Sequence, residues 1–298
     1  MRGLMLSLFP GLGLLDLGFI EQGWTVVRGP DIVYGTLHDI RNFHPPAGVF
    51  EGVIGGPPCQ AHSRLAAIVR YRWGRAAPDL IPEFARCVNE AQPEWFLMEN
   101  VPSAPDPEVE GYAVHAFLLN NRWLVNSTPQ NRLRKIWFGV KGKQEVDLRR
   151  WIEYTALEAV EFEGAVLANG QFRERRLSKK TDKSNALVRK SLSLQGLPED
   201  FFDPTPLTVE GKQRLIGNAV PLPMSRALAK AIRVYLNGGN GHGQERMAGV
   251  PDRGQRRPDV GAEIVRTAQG NQSALRADER ESPGVAGGSR AGSGWVGD

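Results

Sequence analysis

The first half of the chain is a series of short apolar runs punctuated by glycine and proline. Residues 4–9, 24–28, 52–54, 95–98 and 135–140 each read as a buried strand, and 123–125 as a shorter one. Elsewhere the apolar positions change to helical spacing. Residues 14–20, 79–91 and 112–119 read as helices, and 224–236 as a last one. Within 79–91, Phe84, Val88 and Ala91 recur on one face with Cys87 beside them, which places Cys87 in the core. Residues 214–221 read as a structured turn. Strands alternating with helices predict an α/β fold on an open sheet.

The pattern weakens after 140. Residues 141–190 have an acidic first half and a basic second half, and read as an inserted module that 192–198 closes. From 237 no apolar period survives. Those 62 residues hold 14 of the 34 glycines, with eight arginines balanced by eight acids, and read as a disordered neutral tail. The expected organisation is a main domain over 1–140, a small module over 141–191, a return to the main domain over 192–236, and a tail over 237–298.

Composition narrows the class. A hydrophobic content of 41% with 23% charge suits a soluble globular chain. No apolar run reaches membrane-spanning length, and no signal peptide is read. Two cysteines make neither a disulfide framework nor a metal cluster, so a reducing cytoplasm and no metal site are expected. The net charge of +4 permits a polyanionic partner. The charge is uneven. Residues 171–190 carry eight basic and two acidic side chains, among them Arg176, Lys179 and Lys180. Residues 64–75 carry Arg64, Arg70, Arg72 and Arg75 with Tyr71 and Trp73 between them and no acid. Basic residues interleaved with aromatics suit nucleic acid, although either stretch alone is as often a solvated loop.

Chemistry gathers at the ends of the strands. Gly55-Gly56-Pro57-Pro58-Cys59-Gln60 follows an apolar run, and its prolines forbid both more strand and an immediate helix. The forced turn presents Cys59, and an open α/β sheet places its chemistry at such strand ends. Taken alone, Cys59 is as often a small buried hydrophobe. The run 95–98 ends in Glu99-Asn100-Val101, a candidate acid or a tether for its own loop. Arg132 and Arg134 alternate before the last strand, which predicts both side chains on one face. Strand, glycine turn and helix at 4–20 would let a cofactor approach the backbone, but Asp16 stands where a nicotinamide fingerprint needs its third glycine. Asp31, just past the second strand, is a ribose ligand or a turn aspartate.

Five motifs in order carry a resemblance: Phe9-Pro10-Gly11-Leu12-Gly13, Pro57-Pro58-Cys59-Gln60, Glu99-Asn100-Val101, Gln130-Asn131-Arg132-Leu133-Arg134 and Gly217-Asn218-Ala219-Val220-Pro221. The chain resembles the DNA (cytosine-5)-methyltransferases of bacteria and phages over about residues 4–236. The resemblance implies a Rossmann-like S-adenosylmethionine-dependent methyltransferase sheet with a small inserted target-recognition domain at 141–191. It implies a cofactor site at Phe9, Gly11, Gly13, Asp31, Asp39, Ile40, Pro57, Asn218 and Val220. It implies catalysis by Cys59, Glu99, Arg132 and Arg134, with Arg134 on the base. DNA would be met by Gln60, Ser63, Arg64, Arg70, Arg72, Gln130, Arg176, Lys179 and Lys180. Three departures stand out: Leu14 replaces a second glycine, His62 a phenylalanine, and only seven residues separate Asp31 from Asp39, too few for the usual helix.

Carbon 5 of cytosine becomes nucleophilic only after a nucleophile adds at carbon 6, which is what a thiolate at Cys59 would do. Glu99 would then supply a proton at the N3 edge, and the base must leave the duplex to be reached. The expected substrate is double-stranded DNA, the expected chain a monomer, and a cognate restriction endonuclease in trans the implied partner. Two rival readings stay open: an RNA cytosine methyltransferase of similar fold, and a non-catalytic DNA-binding remnant.

Overall fold

A computed structural model describes residues 3–62, 77–155, 162–168, 185–203 and 205–238. Six strands form one sheet. β1 (Leu4–Leu8), β2 (Thr25–Arg28), β3 (Gly52–Gly55) and β4 (Trp95–Asn100) run parallel, β5 (Tyr112–Asn120) and β6 (Leu133–Lys141) complete it, and the spatial order is β2-β1-β3-β4-β6-β5. β6 is antiparallel to both of its neighbours. β1 leads to β2 on one side and has β3 on the other, so the crevice between the ends of β1 and β3 is a topological switch point.

Period-two alternation sorts the side chains into two layers. Met5, Ile54, Trp95, Leu97, Ile136 and Phe138 face one core, while Leu6, Leu8, Val53, Phe96, Met98 and Trp137 face another. The first layer is covered by α1 (Leu14–Glu21) and by the final helix, Leu222–Leu236, and the second by α2 (Ile81–Ala91). Phe19 of α1 stacks on Trp95 at 5.9 Å, with Trp24 edge-on to both, which pins α1 to the sheet. Cys87 is fully buried in the second core, as its place beside the apolar stripe predicts.

Two further helices, α3 (Asn185–Leu194) and α4 (Val209–Asn218), precede the final helix, which is α5. They form a third core with Leu12, Leu14 and Leu17. α1 and α5 touch closely at Gly18, where a Cβ would lie 2.1 Å from Ser225 Oγ and 2.6 Å from its carbonyl carbon. Gly18→Ala is therefore expected to lose about 2 kcal/mol net, because overpacking against backbone exceeds the ~1 kcal/mol gain in helix propensity. Urea unfolding of the two proteins measures it.

The structure corrects four sequence expectations. Residues 112–119 are strand: Phe117 and Leu119 turn inward while Val114 and Leu118 stay exposed, and nine register pairs with β6 hold the strand. Of residues 123–125, Trp123 ends a 3₁₀ turn at Asn121–Trp123, and the stretch makes only an isolated bridge, Leu124 to Tyr154. Residues 214–218 belong to α4, and the turn begins at Ala219. The proposed module is also less separate than expected. Val146, Leu148 and Ile152 lie in the first core and Val188 and Leu192 in the third, so both its ends are built into the main body.

Between β2 and β3, where the spacing of Asp31 and Asp39 leaves no room for an α-helix, the chain makes three 3₁₀ turns at Ile32–Tyr34, Thr36–His38 and Ile40–Asn42. The connection from β4 to β5 is also without a helix, and Pro102, Pro105 and Pro107 suit its extended course. Asp106 anchors it by accepting from Lys135 Nζ at 2.6 Å and Trp137 Nε1 at 2.7 Å.

Candidate active site

Cys59 opens a short 3₁₀ turn directly beyond β3, closed by the His62 N–H donating to the Cys59 carbonyl at 3.0 Å. Two side chains, one at the end of β4 and one just beyond it, hold this turn. Asn100 Nδ2 donates to the Pro57 carbonyl at 3.0 Å, and Ser103 Oγ donates to the His62 carbonyl at 2.6 Å. The neighbouring strand thus positions the thiol loop. A Cβ on Gly56 would stand 3.3 Å from Glu99 Oε2, a tight contact to which the carboxylate would have to yield. The glycine lets the carboxylate and the cysteine loop approach.

Glu99 is 8% exposed and lies on the same face of the sheet as Arg134, one diagonal step away across the β4–β6 ladder. Arg134 Nε donates to Glu99 Oε1 at 2.7 Å, and Nη1 donates to the Leu133 carbonyl at 2.8 Å. Burial pushes the Cys59 thiol above its ordinary value. Arg134 and Arg132 pull it back down and Glu99 pushes it up, so all three charges act on one sulfur. At neutral pH the resting group is the thiol.

Arg132 does not share the face of Arg134, contrary to the period-two expectation. It precedes β6, is 3% exposed, and sends its guanidinium into the protein. Nη1 donates to the Val166 carbonyl at 2.8 Å, and Nη2 to the carbonyls of Gly217 at 3.0 Å and Ala219 at 3.1 Å. Burial lowers it to about 9, which leaves it protonated at neutral pH. Gln130 is corrected too. It is fully buried, its Nε2 donates to the Leu194 carbonyl at 2.7 Å, and it has no surface to offer DNA. Gln60, by contrast, is exposed beside Cys59.

At the end of β1, Phe9, Gly11 and Gly13 all take positive φ, and the Gly13 N–H donates to the Pro10 carbonyl at 2.7 Å. The resulting turn delivers the N-terminus of α1. A Cβ at Gly11 would meet nothing within 4 Å, so the backbone there is open to a ligand. The Gly11 N–H donates to Asp31 Oδ2 at 2.9 Å and the Val33 N–H to Oδ1 at 3.0 Å, so Asp31 ties the glycine turn to the end of β2. Burial pushes its carboxyl above the ordinary range. Each oxygen keeps a second lone pair for a ligand hydroxyl. Asp39 lines an adjoining cleft of about 450 Å³ with Arg28, Leu37, His38 and Phe43. Its hydrogen bonds from Arg41 hold its carboxyl down to about 2. Ile40 packs in the second core, with Phe9 against it. Pro57 is buried beyond β3. Asn218 is exposed at the end of α4 and Val220 is buried beside α1. A glycine turn with open backbone, a tethered carboxylate and an adjoining cleft fit an adenosyl cofactor.

The family model of the C-5 cytosine-specific DNA methylases matches residues 4–186. The chain belongs to this family. The family uses S-adenosylmethionine as its methyl donor. Type II methyltransferase M.HgiDI of Herpetosiphon aurantiacus is 24% identical over 78% of this chain and 94% of its own length. Type II methyltransferase M.NgoPII of Neisseria gonorrhoeae is 30% identical over 33% of each chain, so the chain spans about a third of that relative. Among solved structures, the S. pombe Dnmt2 methyltransferase superposes with a TM-score of 0.51 at 15% identity, covering 80% of this chain and all of that one, a likeness of fold.

Around this candidate site, sequence reasoning misses three positioning groups. Asn100, which the sequence offers only as part of a motif, fastens the Cys59 loop. Asp16, fully buried on α1, accepts from Ser7 Oγ at 2.5 Å and Arg28 Nε at 2.8 Å, and the Arg28 guanidinium fills the space where a Gly13 Cβ would be. Gln195 donates to the carbonyls of Ile216 at 2.6 Å and Ala219 at 3.2 Å. A buried polar residue in an apolar stretch is the one sequence signal such groups leave, and Asp16 among leucines shows it. Ser63, Arg64, Arg70, Arg72, Arg176, Lys179 and Lys180 lie outside the described residues. Among the described residues no cluster suits a metal ion, and no helix is long and apolar enough to cross a membrane.

Proposed function

We propose that the protein methylates carbon 5 of a flipped-out cytosine in double-stranded DNA through a covalent bond from Cys59 Sγ to carbon 6. The observation that carries this is the meeting of the Cys59 loop with the Glu99–Arg134 pair across Gly56. Bound S-adenosylmethionine would supply an electrophilic methyl group, with Phe9, Gly11, Gly13, Asp31, Asp39, Asn218 and Val220 forming its site. Cys59 gives its proton up through water to the Glu99 carboxylate and adds at carbon 6, pushing charge into the ring. Glu99 holds a proton at the N3 edge, and Arg134, already on Glu99, reaches the base carbonyl. After methyl transfer the carbon 5 proton leaves to water, the sulfur–carbon bond breaks, and its electron pair returns to Cys59.

DNA recognition belongs to the same proposal. The recognition region is assigned to 141–191, whose Val146, Leu148, Ile152, Val188 and Leu192 pack into the cores. The basic stretch there would neutralise phosphates, and Ser63, Arg64, Arg70 and Arg72 would meet DNA near the base. Changing Lys179, Lys180 and Lys183 together to Gln is expected to flatten the slope of log affinity against log salt by about two to three units, since each lost phosphate contact removes roughly 0.9. Fluorescence anisotropy across a salt series measures it. A monomer in the cytoplasm, with a cognate restriction endonuclease in trans, completes the reading.

The test is transfer of labelled methyl groups to duplex DNA and, separately, to tRNA, with bisulfite sequencing of the labelled DNA. Label at one cytosine context in duplex DNA is expected. Label in tRNA alone would replace the DNA reading by the RNA one.

A further inference from the structure

We propose that Arg132 is a positioning residue that holds the base side, the cofactor side and the recognition side of the site in one geometry. The proposal rests on the methylase reading above. It starts from the three carbonyls that the guanidinium grips. Gly217 and Ala219 flank Asn218 and precede Val220, the turn assigned to the cofactor. Val166 lies within the stretch assigned to recognition. The backbone of Arg132 is itself locked at the root of β6. Its N–H donates to Asn120 Oδ1 at 3.0 Å, and its carbonyl accepts from the Asn121 N–H at 3.2 Å. Two residues further on, Arg134 holds Glu99. One planar fork thus ties partners 34, 85 and 87 positions away to the strand that carries the base-side arginine.

The surroundings make this fork hard to replace. At Gly217 a Cβ would lie 2.3 Å from the Ala168 amide nitrogen, so the turn packs directly on the 167–168 backbone. The three side-chain hydrogen bonds of the guanidinium all go to backbone carbonyls, and no carboxylate lies at hydrogen-bond distance among the described residues. Its stability comes from charge-assisted bonds in a fixed plane. A lysine offers a point charge without the fork and cannot hold both segments at once. Gln195 donates to the same Ala219 carbonyl, so two buried donors hold the turn. The charge also reaches the chemistry, because Arg132 is among the groups that pull the Cys59 thiol down.

The test compares wild type, Arg132→Lys and Arg132→Met in three measurements: S-adenosylhomocysteine affinity by calorimetry, the pH profile of Cys59 alkylation by iodoacetamide, and the thermal melt. Both variants are expected to melt cooperatively and to bind S-adenosylhomocysteine roughly 3- to 30-fold more weakly than wild type. Arg132→Met, which removes the charge, is expected to alkylate at Cys59 more slowly at pH 8, and Arg132→Lys at close to the wild-type rate. Gln195→Met alone should weaken S-adenosylhomocysteine in the same direction. Combined with Arg132→Lys it should give less than the sum, because both donors act on one carbonyl. Wild-type affinity in folded Arg132 variants overturns the proposal. Loss of folding in both overturns it too, since Arg132 then serves the fold alone. A wild-type protein that binds no S-adenosylhomocysteine refutes the methylase reading itself, whereas intact wild-type binding with unaffected variants refutes only the role of Arg132.

Discussion

A duplex carrying 5-fluorocytosine at the target position is expected to trap the protein, with S-adenosylmethionine present, in a complex that survives denaturation. Fluorine at carbon 5 cannot leave as a proton does, so the adduct formed at Cys59 has no exit. The expectation comes from the geometry. Cys59 sits on a turn fastened at Pro57 and His62 from the β4 side, and its sulfur shares a field with Arg134, Glu99 and Arg132. Cys59→Ser keeps the turn and removes the thiolate. It is expected to abolish the complex and to reduce methylation by at least about 10³-fold, as loss of a nucleophile does elsewhere. Denaturing gel electrophoresis reads the first result and methyl incorporation the second. Wild-type turnover without a trapped complex would end the covalent mechanism. The other cysteine, Cys87, is fully buried in the core and does not compete.

The second large effect is expected at Glu99. Glu99→Gln should slow methylation by about 10²-fold or more, the usual scale of general acid–base help. The Gln carbonyl still accepts from Arg134 Nε, so the structural loss is limited to the charge, about 1–3 kcal/mol. A second readout separates chemistry from scaffolding. Glu99 is one of the groups that push the Cys59 thiol up, and burial is the largest. Removing the carboxylate charge lowers the thiol and raises the thiolate fraction at a fixed pH below it. Cys59 in Glu99→Gln should therefore alkylate faster than wild type at pH 8 while methylation slows. Mass spectrometry of the Cys59 peptide after iodoacetamide measures the rate. Unchanged turnover would leave Glu99 as a tether of its loop.

Arg132 and Arg134 show where reading a sequence stops. Period two placed them on one face, and that rule holds only inside a strand. β6 begins at Leu133, so Arg132 is outside it and its side chain follows three distant carbonyls instead. Gln130 failed as a DNA ligand for a related reason: its amide is consumed by Leu194, 64 positions away. The strand at Tyr112–Asn120 was misread because its nine partners are in β6 and not in its own neighbourhood. Helix α4 was missed where glycines and polar residues weaken its local signal.

Other features were legible because short-range sterics dictate them. Two glycines and two prolines after an apolar run must turn the chain, and they do so at Cys59. The wholly apolar 95–98 must be covered on both faces, and each of its four residues is fully buried. Seven residues between Asp31 and Asp39 cannot hold a helix with its caps, and the chain makes 3₁₀ turns there. Local geometry thus chose the strands, the turns and the residue types at their ends. Which side chains share a site, and which merely hold it, depended on pairings between segments tens of residues apart. Those are set by packing and hydrogen bonding across the folded chain, which leave no mark on neighbouring positions.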